Sequence, residues 1–97
     1  MNHIDDKTES AVMGIGVSEG GNRAESAARA AVKSLPLKGA RGIVMNFETG
    51  PDVSLAEMIR AVGVIREMAE ENAQIAWEHT ISEDMGDKMR VTVIKEN

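Results

Sequence analysis

At 97 residues, with 42% hydrophobic and 28% charged side chains, the chain has the composition of one soluble domain, large enough to bury roughly two thirds of its unfolded surface. The absence of cysteine removes disulfides and thiolate metal sites and suits a reducing cytoplasm, where the chain is expected. A formal charge of −5, with one Trp and one Phe, argues against nucleic acid as a partner, and no apolar run approaches the ~20 residues of a membrane span.

Residues 1–10 are polar, with Ile4 as their main apolar anchor, and read as a flexible arm before one domain at 11–97. From Ala11 the pattern becomes that of a strand. Ala11, Met13, Ile15 and Val17 alternate with Val12, Gly14, Gly16 and Ser18; the first set is assigned to the covered face, and the glycines are places where another backbone comes close. Asn22 is placed as an N-cap, with Glu25 three residues on, for a helix running from Arg23 to about Ser34, where Pro36 forbids continuation. The stripe of that helix, Ala24, Ala27, Ala28, Ala31, Val32 and Leu35, is mostly alanine, so it must lie very close to whatever it covers.

Ile43, Met45 and Phe47 mark a second strand, followed by a turn at Thr49-Gly50-Pro51-Asp52. Ser54 and Glu57 then form a capping box, with Val53 and Met58 placed as a hydrophobic staple. The helix they begin is expected to end at Asn72 and to bury Leu55, Met58, Ile59, Val62, Ile65 and Met68. Ile75 to Ile81 reads as a third strand, Ser82 to Asp87 as an acidic turn, and Met89 to Ile94 as a last strand forming an antiparallel hairpin with the third.

The order β-α-β-α-β-β predicts an α+β two-layer sandwich, a four-stranded mixed sheet with two helices on one face. Sorting strand residues by parity puts Met13, Ile15, Val17, Ile43, Met45, Phe47, Ile75, Trp77, Met89, Val91 and Val93 under the helices. The remaining set, with Val44, Asn46, Glu78, Arg90, Thr92 and Ile94, is too polar for a second core and too apolar for easy hydration, which implies a partner on that face.

No residue constellation specifies catalysis. Gly14-Ile15-Gly16-Val17-Ser18-Glu19 lacks the last glycine of a dinucleotide fingerprint. His3 and His79 have no zinc spacing, and Glu83, Asp84 and Asp87 miss the calcium-loop pattern, leaving no metal site and no cofactor expected in the chain.

Five segments in order carry a resemblance: Met13-Gly14-Ile15-Gly16; Gly21-Asn22-Arg23-Ala24 with Ala27-Ala28; Gly39-Ala40-Arg41-Gly42-Ile43-Val44-Met45-Asn46; Pro51-Asp52-Val53-Ser54-Leu55; and Asp87-Lys88-Met89-Arg90-Val91-Thr92-Val93-Ile94. From about Ala11 to Ile94 the chain resembles the C-terminal domain of FtsZ, the bacterial tubulin homologue of cell division. The resemblance implies a full-length protein that binds GTP and polymerises head to tail, with the GTP signature and the hydrolytic acidic loop outside the matched region. It therefore implies no enzyme activity for this chain alone, and as partners the family's N-terminal domain, a neighbouring subunit and division regulators. Carried over by position, the surface meeting the next subunit includes Asp52, Ser54 and Leu55, although Asp52 also suits a turn former and Leu55 a core edge. Gly21, Thr49, Glu78 and the ending Lys95-Glu96-Asn97 depart from the pattern. Glu78 is expected to pair with Arg90 on the bare sheet face, and self-association through that face or an adjacent helix surface is expected. The alternative from another class is a small-molecule-binding regulatory module or chorismate-mutase-like oligomer of the same plan, which would need converging basic residues.

Overall fold

The structure, a computed structural model, describes residues 11–96; the arm expected at residues 1–10 lies outside them. Strands β1 (Ala11–Glu19), β2 (Gly42–Thr49), β3 (Gln74–Ile81) and β4 (Lys88–Glu96) form one mixed sheet in the order β1-β4-β2-β3. Helices α1 (Arg23–Ala31) and α2 (Leu55–Met68) connect β1 to β2 and β2 to β3, and a single 3-10 turn, Glu83–Met85, precedes β4. β4 is antiparallel to both β1 and β2, and β3 is parallel to β2.

The expected hairpin between the third and fourth strands does not form. β2 stands between them, and the chain crosses the end of β2 through the 3-10 turn, held where the Ser82 N–H donates to the Thr49 carbonyl at 2.8 Å. Burial accounts for this order. Met89, Val91 and Val93 of β4 are fully buried and demand a central position, whereas Glu78, His79 and Thr80 make β3 tolerable at an edge.

The face assignment holds on β2 and β4 and reverses on β1. Met13, Ile15 and Val17 are 60%, 53% and 49% exposed, while Gly14 and Gly16 lie under α1. Ala24, Ala27, Ala28 and Ala31 of α1 are all buried, and this helix sits so low that a Cβ on Gly14 would run into the carbonyl of Ala31 and one on Gly16 into that of Ala27. A face of alanines thus packs against glycines of the strand, and the strand's large side chains are left on the opposite side.

Register then fixes the uncovered face. Met13, Ile15 and Val17 stand beside Ile94, Thr92 and Arg90 of β4, followed by Val44, Asn46 and Glu48 of β2 and by Ala76, Glu78 and Thr80 of β3. On the helical side, Met58, Ala61, Val64 and Ile65 of α2 close the core over Ile43, Met45 and Phe47. Trp77, expected beneath the helices, lies at the rim with 36% exposure, its ring edge-on to Phe47 at 5.6 Å between centroids; β3 is an edge strand, so part of the indole faces solvent.

Both helices are shorter than their periodicity suggests. α1 ends at Ala31 and passes into tighter turns, with Lys33 donating to Ala30 and Leu35 to Val32. Asn22 makes no side-chain cap; its carbonyl accepts from Ser26, and Glu25 lies 3.9 Å from Arg60 instead of closing a capping box. α2 ends at Met68, and Leu55, Ile59 and Met68 of its expected stripe are exposed, the buried face being Met58, Ala61, Val64 and Ile65.

Candidate functional site

Asp52, Ser54 and Leu55 come together where β2 hands over to α2. The capping box is complete: the Glu57 N–H donates to Ser54 Oγ at 3.1 Å, and the Ser54 N–H donates to Glu57 Oε2 at 3.2 Å. This satisfies two of the free donors at the helix start and fixes the direction in which the first turn points. Leu55, 59% exposed, and Ile59, one turn on and 53% exposed, therefore stand on the outer surface beside the exposed Asp52. With this exposure Leu55 stands mostly outside the core.

A group that the sequence did not assign to this region lies beneath it. Arg23, at the start of α1, is buried and donates from Nε to Glu57 Oε1 at 2.8 Å and from Nη2 to Glu57 Oε2 at 3.1 Å. Nη2 also donates to the Asp52 carbonyl at 2.6 Å, and Nη1 donates to the Asp87 carbonyl at 2.8 Å and to Asp87 Oδ1 at 3.4 Å. The Arg23 hydrogen bond holds the Glu57 carboxyl below the usual glutamate range; burial opposes the shift, and the Ser54 N–H and the charges of Arg23 and Arg60 assist it. Reciprocally, Glu57 holds the guanidinium above its ordinary value. One sequence signal was present: Arg23 falls four residues before Ala27 and eight before Ala31, on the buried stripe, where a charge requires partners.

The expected Glu78–Arg90 pair is not made. Arg90 Nη1 donates to Glu48 Oε1, because Glu48 is its register partner on the adjacent strand, whereas Glu78 sits on β3 beyond β2. Both residues do lie on the uncovered face, where Asn46 Oδ1 is buried without a hydrogen-bond partner.

Among the described residues, Arg23, Arg41, Lys88 and Arg90 do not converge, as a regulatory small-molecule site would require. Arg23 is enclosed by its own carboxylates and carbonyls, Arg90 faces Glu48, and Arg41 and Lys88 flank opposite ends of the β2–β4 ladder. An open cleft of about 560 Å³ beside Arg41, Asn72, Gln74 and Glu96 contains one cation and one carboxylate. His79 Nε2 lies 2.7 Å from the buried Thr49 hydroxyl, a rim position, and no cluster of three metal-ligating side chains occurs among the described residues. No helix among them is long and apolar enough to cross a membrane.

Over residues 9–97 the chain matches the FtsZ family, C-terminal domain. It is 40% identical over 89 residues to the cell division protein FtsZ of Buchnera aphidicola (subsp. Schizaphis graminum) and 39% identical to that of Pseudomonas aeruginosa, each match covering 87% of this chain and 23% of the relative. The chain thus spans about a quarter of the length of these curated relatives. Among solved structures, an FtsZ dimer from M. jannaschii superposes with a TM-score of 0.83 at 26% identity, covering 100% of this chain and 32% of that one. A GTPγS-bound CetZ2 protofilament from Haloferax volcanii, with a TM-score of 0.70 and 13% identity over 98% of this chain and 33% of that one, shares the fold.

Proposed function

Because the chain belongs to the FtsZ family, as its C-terminal domain, we propose that it is the assembly and regulator-binding part of a cytoplasmic cell-division GTPase, acting through surfaces and not through chemistry of its own. Residues 11–97 constitute that domain. GTP is bound and hydrolysed by other parts of the parent protein and its neighbour, and this chain alone does neither.

The observation that carries the reading is the exposed pair Leu55 and Ile59 beside Asp52, on a helix start made rigid by a capping box. Exposed apolar side chains on a fixed frame suit docking of a protein surface, since little order has to be gained on binding. That surface meets the nucleotide-bearing end of a neighbouring subunit. The uncovered sheet face supports a second contact, because Met13, Ile15 and Val17 offer an apolar row there. In the parent protein this face rests on the helix linking its two domains; in the chain alone it drives self-association.

The test is to add the chain to GTP-driven assembly of Pseudomonas aeruginosa FtsZ, followed by light scattering. The chain is expected to occupy filament ends and lower the scattering in proportion to its concentration, and Leu55→Asp to abolish the effect. Unchanged scattering at all concentrations overturns the reading.

A further inference from the structure

We propose that Arg23 is the positioning residue of the assembly surface, holding the Asp52–Leu55 segment at the height and angle that docking requires; this rests on the reading just given. Arg23 lies on a different helix from that surface. Its partners lie 29, 34 and 64 positions away in sequence, at Asp52, Glu57 and Asp87.

All five guanidinium N–H donors are engaged: Nε–H on Glu57 Oε1, the Nη2 pair on Glu57 Oε2 and the Asp52 carbonyl, and the Nη1 pair on the Asp87 carbonyl and carboxylate. A planar fork of this kind ties three segments at fixed angles, which a lysine ammonium with three rotatable donors does not reproduce. The connection to the surface is direct. Glu57 Oε2 accepts from both Arg23 Nη2 and the Ser54 N–H, so the rotamer that closes the capping box is the one the guanidinium selects. One residue before Val53, the Asp52 carbonyl is held by the same guanidinium nitrogen.

Packing alone does not fix this segment. Val53 packs against the core from within the segment, while Asp52, Ser54 and Leu55 are exposed, so the polar network and one steric stop must define the angle of the rest. That stop is Gly50, where a Cβ would run into the Gly86 carbonyl, with the Gly86 carbon and nitrogen at 3.3 Å. The segment is thus held between the Arg23 fork and the turn before β4.

Arg23→Lys retains the charge and most of the buried stem while removing the fork. In the full 97-residue chain it is expected to accelerate hydrogen exchange at the Ser54 and Glu57 amides, which the capping box bonds, at least tenfold, with Met45, Val91 and Val93 unchanged, and to weaken inhibition of FtsZ assembly at least tenfold. Glu57→Gln, which keeps the shape and removes the charge, should give the same local signature if Arg23→Lys fails to fold. Gly50→Ala displaces the segment from the other side with the Arg23 partners intact, and should also reduce inhibition. Ile43→Ala, a core cavity at the far end of β2, serves as a destabilised control and should keep full inhibition.

If Ile43→Ala loses as much inhibition as Arg23→Lys, or if exchange rises uniformly across the fold, Arg23 acts only through global stability and the proposal is overturned. Wild-type inhibition that persists unaltered in Arg23→Lys also overturns it. If the wild-type chain does not inhibit, the assembly reading fails separately, and the positioning role goes with it.

Discussion

The packing of α1 on β1 makes a paired prediction in which one kind of substitution has opposite signs at two sites. In Gly16→Ala the new methyl meets the Ala27 carbonyl, the Ala31 nitrogen at 2.7 Å and the Ala30 Cβ at 2.9 Å. Two of those three are backbone atoms of α1, which have no rotamer by which to move aside, so the helix must lift and the buried faces of Ala24, Ala27, Ala28 and Ala31 lose contact. Overpacking of this kind costs about 1–3 kcal/mol, which for a domain of this size lowers Tm by roughly 5–20 °C. In Gly63→Ala, within α2, the methyl meets nothing within 4 Å. Ala replaces Gly in an open helical position, gaining about 1 kcal/mol and raising Tm by roughly 4–8 °C. Urea titration followed by far-UV circular dichroism reads both. A Gly16→Ala chain as stable as the parent would refute the close approach of α1 to β1, and with it the reversal of the β1 faces.

The Arg23–Glu57 pair predicts acid sensitivity. The Glu57 carboxyl is held below its ordinary value near 4.5, so its contribution is complete above that value and is lost as pH falls through the lower folded value; Glu57→Gln should flatten unfolding free energy against pH below about 5. The Glu48–Arg90 pair is partly exposed, so Arg90→Gln is expected to cost less than about 1 kcal/mol in chemical denaturation, diminishing with salt. Ile15→Lys, on the uncovered face, should change stability by no more than about 0.5 kcal/mol yet lower self-association in sedimentation velocity. Undiminished association would place the self-contact elsewhere.

Much of the fold was legible because its signals are local. Ser54 and Glu57 marked the start of α2, and alternation in Ile43, Met45 and Phe47 gave the buried side of β2. Alternation says which residues share a face, however, and not which face is covered. On β1 the choice lay between large side chains and glycines, and it was decided by α1, whose alanine face admits only a partner without Cβ. Strand order was equally hidden: adjacency in sequence suggested a β3–β4 hairpin, while the burial of Met89, Val91 and Val93 places β4 in the centre. Asp52, Ser54 and Leu55 could be placed by resemblance. Arg23 beneath them could not, since its partners Asp87 and Glu57 are brought to it only by the tertiary fold.

The central claim is that the chain works through the exposed start of α2. Amide chemical-shift mapping of the labelled chain, titrated with GTP-loaded Pseudomonas aeruginosa FtsZ, tests it most directly. The account predicts shifts and broadening concentrated at Asp52 to Ile59, with the cleft beside Arg41 and Glu96 unaffected. Perturbation confined to that cleft, with Asp52 to Ile59 unmoved, would contradict it.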